Sequence, residues 1–330
     1  MLAAFIIFAP ENFIRMSALR VVFFGTPDFA AESLRAIHQS AHEVVGVVTV
    51  ADKASGRGQK VNQSPVKRFA VEHHLPLFQP EKLRDNEFLE SIRALNADIF
   101  VVVAFRMMPK ILWEMPKLGT FNLHASLLPD YRGAAPINYA IINGESETGV
   151  TTFFINEKID EGNLLLQAKT AIGDDENAGS LHDRLMEIGS RLVVETLDGL
   201  SEGRITERPQ PQVEHPKNAF KIFKEDTRIC WQQPSQAVHN FIRGMSPYPC
   251  AFTTLSINGE SKGLKIFSGK YELLPHKREA GEIELSKSEL RIFTQDGIYS
   301  PEEVQLEGKK RMSIKDFLNG FQSLEGIQLG

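Results

Sequence analysis

Cysteine is scarce in this sequence. Only Cys230 and Cys250 occur among its 330 residues, which is too few for a disulfide framework or a cysteine-based zinc site. We therefore expect free or buried thiols in a protein of the reducing cytoplasm, and no bound metal.

Long apolar runs are equally scarce. Residues 3–9 are apolar, but they lack a basic flank and fall far short of the ~20 residues that cross a bilayer, so we expect no membrane attachment. The first convincing strand begins at Leu19. Residues 1–18 are therefore interpreted as an N-terminal extension, either a disordered tail or the product of an upstream start codon.

A glycine-rich dinucleotide fingerprint and an overall basic charge are also missing. Only Gly25 follows the first predicted strand, so no G-x-G-x-x-G motif indicates a nicotinamide or flavin cofactor. The net charge of −5 and the isoelectric point near 6.0 predict no general attraction to nucleic acid. Contacts with nucleic acid would need local basic patches.

The first 200 residues alternate between buried strands and amphipathic helices. The predicted strands cover residues 19–24, 43–50, 75–78, 98–104 and 120–123, and the helices between them 27–38, 65–74 and 85–95. This alternation is typical of a doubly wound sheet. We predict an α/β fold with a Rossmann-like, mostly parallel sheet over residues 19–202. A long helix over residues 178–200 is expected to carry His182 and Arg184 on a solvated face.

The chain changes character near residue 203. Residues 203–219 contain three prolines and no apolar periodicity, which predicts an interdomain linker. Short alternating runs separated by glycine-bearing turns then predict a small, OB-like β-barrel domain over residues 220–330. Such barrels often bind nucleic acid, and the alternative is an accessory or oligomerisation domain.

Residues 119–133, GTFNLHASLLPDYRG, contain the main candidate site. Asn122 and His124 lie two apart on a predicted strand, so both side chains point to the same face. A helix is predicted from Pro136, and a strand end beside a helix start is a common site in α/β proteins. Asp160, in a turn between two further strands, is a third candidate. A single Asn or His at a strand end is more often structural, but these two share a face and the loop that follows is expected to bury little.

The order of these motifs resembles the folate-dependent formyltransferases: Asn-x-His, then Ser-Leu-Leu-Pro-x-Tyr-Arg-Gly, then Asp-x-Gly. The likeness covers about residues 19–320. It implies that Asn122, His124 and Asp160 are catalytic and that 10-formyltetrahydrofolate is the formyl donor. It also implies that the reduced folate contacts four residues of the motif, Ser126, Leu127, Leu128 and Pro129. The chain departs from the family at Phe105-Arg106-Met107, where a Tyr-Gly sequence is usual.

A long basic loop follows the second predicted strand. Residues 52–68 hold five basic residues and one acidic residue, and the loop is longer than the usual βα connection of about two to six residues. Composition alone allows either a solvated surface loop or an arm that binds a polyanion. Family members that act on methionyl-tRNA carry a similar loop that enters the acceptor stem. That resemblance implies that Arg57, Lys60 and Lys67 contact tRNA.

The resemblance therefore implies a cytoplasmic, monomeric enzyme that formylates methionyl-initiator tRNA. An α-amino group has a pKa of about 8, so much of it is neutral near pH 7 and needs no strong base. Asn122 and His124 suit stabilisation of the developing oxyanion, and Asp160 suits holding His124 or a bridging water and moving the proton. No Ser or Cys is paired with a base, so no covalent enzyme intermediate is expected.

Four alternatives stay open at this point. Two lie within the family: the acceptor of the formyl group could be a UDP-amino-sugar or glycinamide ribonucleotide. The domain after the linker disfavours glycinamide ribonucleotide. The same three residues also suit a hydrolase that releases formate from the folate. From a different class, the chain is an inactive RNA-binding protein built on this fold, which the intact Asn122, His124 and Asp160 argue against.

Overall fold

The computed structural model describes residues 18–55, 60–321, 323 and 326–329. The strands of its first half are β1 (Arg20–Gly25), β2 (Glu43–Val48), β3 (Lys53–Ser55), β4 (Lys60–Asn62), β5 (Leu77–Phe78), β6 (Ile99–Val103), β7 (Thr120–His124), β8 (Arg132–Gly133), β9 (Glu147–Phe154) and β10 (Leu164–Ala171). The helices are α1 (Asp28–His38), α2 (Pro65–Glu72), α3 (Asn86–Ala94), α4 (Lys110–Trp113), α5 (Pro136–Ile142) and α6 (Ala178–Ser201).

Seven of these strands form one sheet in the order β10-β9-β7-β6-β1-β2-β5. The strands from β5 to β7 in that order are parallel; β9 runs antiparallel to β7, and β10 runs antiparallel to β9. β1 and β6 at the centre are almost entirely buried because they read Val-Val-Phe-Phe and Ile-Phe-Val-Val-Val, as strands covered on both faces require. The prediction of a Rossmann-like, mostly parallel sheet is confirmed.

The basic loop differs from its prediction. The sequence predicted a long basic loop over residues 52–68, but β3 and β4 pair as an antiparallel hairpin from Lys53↔Asn62 to Ser55↔Lys60. Helix α2 then begins at Pro65, and the Ser64 hydroxyl caps it by accepting a hydrogen bond from the Lys67 amide at 3.0 Å. Pairing of the two short strands was not visible in the sequence because neither run is long or apolar enough to predict a strand.

The second half is a separate antiparallel sheet. Its elements are β11 (Asn218–Ala219), a 3-10 turn (Glu225–Thr227), α7 (Ser235–Met245), β12 (Ala251–Ile257), β13 (Glu260–Leu273), β14 (Ile283–Leu285), β15 (Leu290–Phe293), β16 (Gly297–Leu306), β17 (Met312–Ser313), α8 (Ile314–Asn319) and β18 (Ile327–Leu329). The sheet order is β14-β15-β16-β13-β12-β18, with β17 paired to β16. This nearly closed sheet confirms the predicted β-barrel.

Strand β13, with 14 residues, is much longer than the short runs that the sequence predicted for this domain. Its pairing with β16 shifts register after Ile266 and again after Ser268. Gly269 lies at this bend, where a β-carbon would stand 2.5 Å from the Ser300 carbonyl oxygen. Register shifts and a glycine let one strand curve around the barrel core, and a curved strand does not keep a simple alternation of apolar residues.

The two halves pack through helices α5 and α7. Gly244 on α7 has no side chain, and a β-carbon there would meet Ile142 on α5 at 2.6 Å. The Asn138 side chain donates a hydrogen bond to the Gly244 carbonyl at 2.7 Å. The absence of a side chain at Gly244 therefore allows the close approach of the two helices. No helix in the described part of the chain combines the length and apolarity needed to cross a bilayer.

The segment predicted as a linker is bound to the first half at two points. Arg208 and Leu164 form a β-bridge, with main-chain hydrogen bonds of 2.7 and 3.0 Å. Farther along, β11 pairs in parallel with β8. Residues 203–219 therefore follow the surface of the first half before the barrel begins.

Candidate active site

A cleft of about 840 Å³ opens beside the carboxyl ends of β1, β6 and β7. This edge is where open α/β sheets usually bind ligands. Its lining comes from Pro27 and Phe29, from residues 104–110, from residues 133–138 and from residues 155–160, with Asn122 and His124 between them. The volume falls in the range of roughly 300–1,000 Å³ that is usual for small-molecule sites.

The structure brings the three predicted catalytic residues together in this cleft. Asn122 and His124 lie on β7, and Asp160 lies in the turn after β9; all three line the cleft. His124 Nδ1 stands 3.8 Å from Asp160 Oδ2. Within the described residues the Asn122 amide has no hydrogen-bond partner, so it is free to bind a ligand.

The two ring nitrogens of His124 have different partners. Nε2 is 2.8 Å from the Tyr131 carbonyl oxygen, and a carbonyl only accepts, so Nε2 carries the hydrogen in this contact. In the neutral ring Nδ1 is then the acceptor that faces Asp160. His124 Nδ1 can donate a hydrogen bond toward the cleft only after it has gained a proton.

Asp160 is held in place by the main chain around it. The Gly133 amide donates to Asp160 Oδ2 at 2.9 Å, and the Asp160 backbone has a φ of +54°, a region that L-residues rarely occupy. Two residues later, a β-carbon at Gly162 would lie 1.5 Å from the Phe154 carbonyl oxygen. Strained backbone of this kind persists where the surroundings determine it and is common at functional sites.

Gln210 from the linker segment completes this support. Its side-chain amide donates to the carbonyls of Asp160 and Gly162, at 2.8 and 2.9 Å. Its oxygen accepts from Arg132, at 2.6 Å from Nη2 and 3.2 Å from Nε. The sequence does not predict the role of Gln210, because a glutamine in a proline-rich segment carries no local signal for a contact with a residue 50 positions away.

Tyr131, whose carbonyl accepts from His124, is itself held by hydrogen bonds that involve Glu145 and Lys217. Its hydroxyl donates to Glu145 at 2.5 Å, and Lys217 donates to the same carboxylate at 2.6 Å. Burial raises the pKa of Tyr131, and the Glu145 hydrogen bond adds to that effect. Burial favours a raised pKa for Glu145 as well, but the hydrogen bonds from Lys217 and Tyr131 outweigh it and the pKa is lowered. The carboxylate therefore stays charged and fixes Tyr131.

The loop after His124 buries more than the sequence indicated. Leu128 is 3% exposed and Tyr131 is 5% exposed. The expectation of a loop that buries little was wrong, since the apolar side chains of this turn pack inward against β9 and β10.

The four residues assigned to the folate lie in that turn. The Ser126 hydroxyl donates to the Asp130 carbonyl at 2.7 Å, and the Leu128 amide donates to Thr151 at 3.2 Å. Ser126, Leu127, Leu128 and Pro129 do not line the cleft. Their contact with the reduced folate stays a prediction, and the observed lining is better placed for it.

The three basic-loop residues differ in what the structure describes. Arg57 lies outside the described residues. Lys60 lies on β4, and its side chain is not described. Lys67 forms an ion pair with Asp52 and its side chain is 15% exposed, so it braces the base of the hairpin. Hydrogen bonds from Lys67 and Gln79 lower the pKa of Asp52. Contact of these lysines and Arg57 with tRNA stays a prediction.

His182 and Arg184 lie on the more exposed face of α6, with side chains 39% and 40% exposed, but both also have partners there. His182 lines the cleft, with its ring centroid 5.4 Å from that of Phe29. Arg184 donates to the Ala171 carbonyl and to Glu176. The apolar stripe of α6 identified its buried face, but α1 and the loops cover part of the other face as well.

The apolar lining suits a flat heteroaromatic ligand. It includes Val102, Phe105, Met107, Met108, Trp113, Ile155 and Ile159. Residues 105–109 form neither helix nor strand, and Ala104 has a positive φ of +46°. Irregular main chain beside apolar side chains offers the few polar groups that orient such a ligand. In the described ranges, no cluster of His, Cys, Asp and Glu is arranged to hold a metal ion.

Comparison with known proteins identifies relatives over nearly the whole chain. The profile of a family described as formyl transferase matches residues 19–197, and that of a formyl transferase C-terminal domain matches residues 221–322. The chain is 48% identical over 316 residues to the methionyl-tRNA formyltransferase of Bacteroides fragilis, covering 94% of this chain and 98% of that protein. It is 49% identical over 305 residues to the methionyl-tRNA formyltransferase of Flavobacterium johnsoniae, covering 92% and 97%.

A solved structure shares the fold. The N-formyltransferase from Helicobacter canadensis, in complex with folinic acid and dTDP-3-aminofucose, superposes with a TM-score of 0.63 over 89% of this chain and 100% of that chain. The two sequences are 20% identical, so this likeness concerns the fold alone.

Proposed function

The chain belongs to the formyl transferase family, and from that premise we propose that it formylates the amino group of methionyl-initiator tRNA with 10-formyltetrahydrofolate. The observation that carries this proposal is the free Asn122 amide beside the His124–Asp160 pair in one cleft. Support for the acceptor comes from relatives named methionyl-tRNA formyltransferase that are 48% and 49% identical over more than 90% of the chain.

The folate supplies a formyl group on its N10 atom when bound. We assign its ring system to the apolar part of the cleft, between the turn of residues 105–109 and the turn of residues 155–160, which both line it. Asn122 would then lie beside the formyl carbonyl. A neutral side-chain amide donates a hydrogen bond without needing a proton change, so it stabilises negative charge on that oxygen as soon as the charge develops.

His124 and Asp160 handle the proton. The incoming α-amino group attacks in its neutral form and must lose a proton as the new C–N bond forms. His124 Nδ1 accepts that proton because Nε2 is committed to the Tyr131 carbonyl, and Asp160 stabilises the resulting imidazolium across the 3.8 Å gap. The same proton then passes to the departing folate nitrogen. No step requires a covalent bond to the enzyme.

The barrel and the basic hairpin are assigned to the tRNA. We propose that Arg57 and Lys60 contact the acceptor stem, while the barrel over residues 220–330 binds the body of the tRNA. The enzyme would act as a monomer in the cytoplasm, where its acceptor is made. Lysine and arginine side chains that neutralise phosphates make such binding weaken steeply with salt.

The test of the function is transfer of a labelled formyl group from 10-formyltetrahydrofolate. Methionyl-initiator tRNA and a UDP-amino-sugar serve as parallel acceptors, with Arg57→Ala and Asn122→Ala beside the wild type. We expect label on the tRNA, weaker tRNA binding in Arg57→Ala, and lost turnover with intact tRNA binding in Asn122→Ala. Label on the sugar alone would overturn the assignment of the acceptor, and no transfer to either acceptor would overturn the reaction.

A further inference from the structure

The form of the His124 ring depends on one main-chain carbonyl, that of Tyr131. His124 Nε2 donates to this oxygen at 2.8 Å. In the neutral ring the hydrogen is therefore on Nε2, and Nδ1 is the acceptor that faces Asp160. A hydrogen bond at one ring nitrogen of a histidine sets the protonation of the other. The groups that hold Tyr131 therefore also decide whether Nδ1 can accept a proton.

Tyr131 has a main-chain conformation that needs support. Its φ is +60°, in the left-handed region that bulky L-residues rarely occupy. Residues keep such a conformation only where the surrounding contacts determine it. The Tyr131 side chain is buried in the core of the first half. Its packing and its hydrogen bonds are therefore the contacts that hold the carbonyl toward His124.

Glu145, which follows α5, receives the hydrogen bond of that side chain. The Tyr131 hydroxyl donates to Glu145 Oε1 at 2.5 Å, and the Asn143 side chain donates to the hydroxyl at 3.1 Å. A hydroxyl has a single hydrogen to donate, so its bond to Glu145 fixes its direction. The far end of the Tyr131 ring is therefore held by Glu145.

Lys217 adds support from the segment that leads into the barrel. Its ammonium group donates to the same Oε1 atom of Glu145 at 2.6 Å and lies 5.8 Å from the centre of the Tyr131 ring. The Lys217 carbonyl accepts from the Tyr131 amide at 2.5 Å, and its amide donates to Asp130 at 3.2 Å. Lys217 therefore holds both the main chain of Tyr131 and the partner of its hydroxyl, directly before β11 pairs with β8.

We propose that Glu145 and Lys217 are positioning residues, which fix the tautomer of His124 through Tyr131. For its effect on turnover, this inference rests on the proposed function. Neither Glu145 nor Lys217 lines the cleft, so neither is placed to touch a ligand there. Without the carboxylate, the buried Tyr131 hydroxyl has lost its acceptor, which is unfavourable. The ring then moves, and the Tyr131 carbonyl no longer keeps the hydrogen on Nε2.

Nitrogen NMR of protein that carries ¹⁵N-labelled histidine measures the tautomer without any substrate. At about pH 8 histidine side chains are ordinarily neutral, and the shifts of the two ring nitrogens show which one carries the hydrogen. A spectrum of His124→Gln identifies the signals of His124. We expect the wild type to show the Nε2–H form alone, and Glu145→Ala to lose at least about a fifth of that form.

Glu147→Ala is the matched control. Glu147 lies two residues after Glu145, outside the cleft, and pairs with Lys169 at 2.8 Å, so its loss should leave the His124 tautomer unchanged. Glu145→Gln should also keep the wild-type tautomer, because its amide oxygen can still accept from the Tyr131 hydroxyl.

Two further variants test the other contacts of the path. Lys217→Met should change the tautomer in the same direction as Glu145→Ala, but less, because the main chain of residue 217 still holds the Tyr131 amide. Tyr131→Phe removes the hydroxyl and keeps the ring, so it should match Glu145→Ala and replaces it if that variant does not fold. A mixed tautomer in the wild type, or the wild-type tautomer in folded Glu145→Ala or Tyr131→Phe, overturns the proposal.

Formyl transfer to methionyl-tRNA measures the consequence for turnover. In Glu145→Ala we expect kcat to fall about 10- to 100-fold and the KM for 10-formyltetrahydrofolate to stay within about threefold, since the chemical step is affected and not binding. The double variant with Tyr131→Phe should lose no more than either single variant, because both act along one path; additive losses overturn that path. The tautomer is measured without substrate, so it tests this inference even where formyl transfer is absent and the proposed function fails.

Discussion

Side chains in the cleft divide between those free to meet a ligand and those that hold others in place. Asn122 is free within the described residues, whereas His124 and Asp160 each have one polar atom committed to the main chain. His124 Nε2 is hydrogen-bonded to the Tyr131 carbonyl, and Asp160 Oδ2 accepts from the Gly133 amide. A proton taken up by His124 would therefore sit on Nδ1, facing the Asp160 carboxylate. In the proposed reaction one proton moves from the attacking amine to the departing folate nitrogen. His124 Nδ1 beside the Asp160 carboxylate suits that transfer, and no stronger base is required.

Replacement of Asp160 tests the proton role. Asp160→Asn keeps the shape but removes the charge that stabilises a protonated His124, so we expect kcat to fall about 10²- to 10⁴-fold. Binding of 5-formyltetrahydrofolate should stay within about threefold of the wild type, because the carboxylate is assigned to the transition state. Rapid-quench formyl transfer and calorimetry give the two values. Asp174→Asn, at an exposed residue outside the cleft, is the matched control, and near-normal kcat in Asp160→Asn would refute the role.

At the level of elements, the turn between β9 and β10 depends on a missing side chain. Gly162→Ala would place a methyl group 1.5 Å from the Phe154 carbonyl oxygen, so the turn must shift. We expect a loss of about 1–3 kcal/mol in the free energy of unfolding, as is usual for overpacking, together with lower kcat because Asp160 moves. Urea unfolding gives the stability. Gly173→Ala, whose β-carbon would meet only Glu176 at an ordinary 3.5 Å, should be near neutral; equal losses in both variants would contradict the argument.

The linker segment is also part of the active-site scaffold. Gln210→Glu keeps the acceptor for Arg132 but removes the donors to the Asp160 and Gly162 carbonyls. We expect a stability loss of about 1–2 kcal/mol and a kcat several-fold below the wild type, with the folate dissociation constant little changed. Gln212→Ala, two residues along the same exposed segment, is the control. If Gln210→Glu keeps full kcat, the linker only connects the two halves.

At the scale of the whole molecule, Arg243 joins the two halves. It is 8% exposed and donates to the carbonyls of Gly173 and Glu176, at 3.1 and 3.0 Å. Arg243→Met leaves both carbonyls without this donor, so we expect about 1.5–3 kcal/mol less stability and a barrel that unfolds before the first half. Differential scanning calorimetry would show the split transition. Arg278→Met, at an exposed barrel residue, should keep a single transition close to that of the wild type.

The same interface predicts a pH dependence. Burial lowers the pKa of His239; the Asp174 carbonyl opposes that effect, and the Arg243 charge adds to it. The unfolded chain, with a His pKa of about 6.5, therefore binds this proton more readily than the folded protein, so stability is full above that pH and falls as the pH drops below it. Between about pH 7.5 and pH 5, the urea midpoint of the wild type should fall more than that of His239→Gln. Parallel slopes would show that His239 is not the titrating group.

The amino-acid sequence determined the local features of this protein. Buried runs of valine and phenylalanine are long enough to predict the central strands, and the apolar stripe of α6 predicts a helix, because both follow from the periodicity of neighbouring residues. The Asn-x-His spacing likewise places Asn122 and His124 on one face, since that geometry depends only on the strand. Asp160 was a candidate as a carboxylate in a turn between two predicted strands, and the family resemblance implies its catalytic role.

Only the tertiary structure decided what surrounds those residues. The sequence contains no signal that Gln210 reaches Asp160 or that His182 lines the cleft. Each of these contacts joins residues that are many positions apart, and each depends on how loops from different strands fold over the same sheet edge. Local pattern sets which face of an element is buried, whereas packing between elements sets which polar groups meet. The polar support of the site is therefore a property of the folded chain.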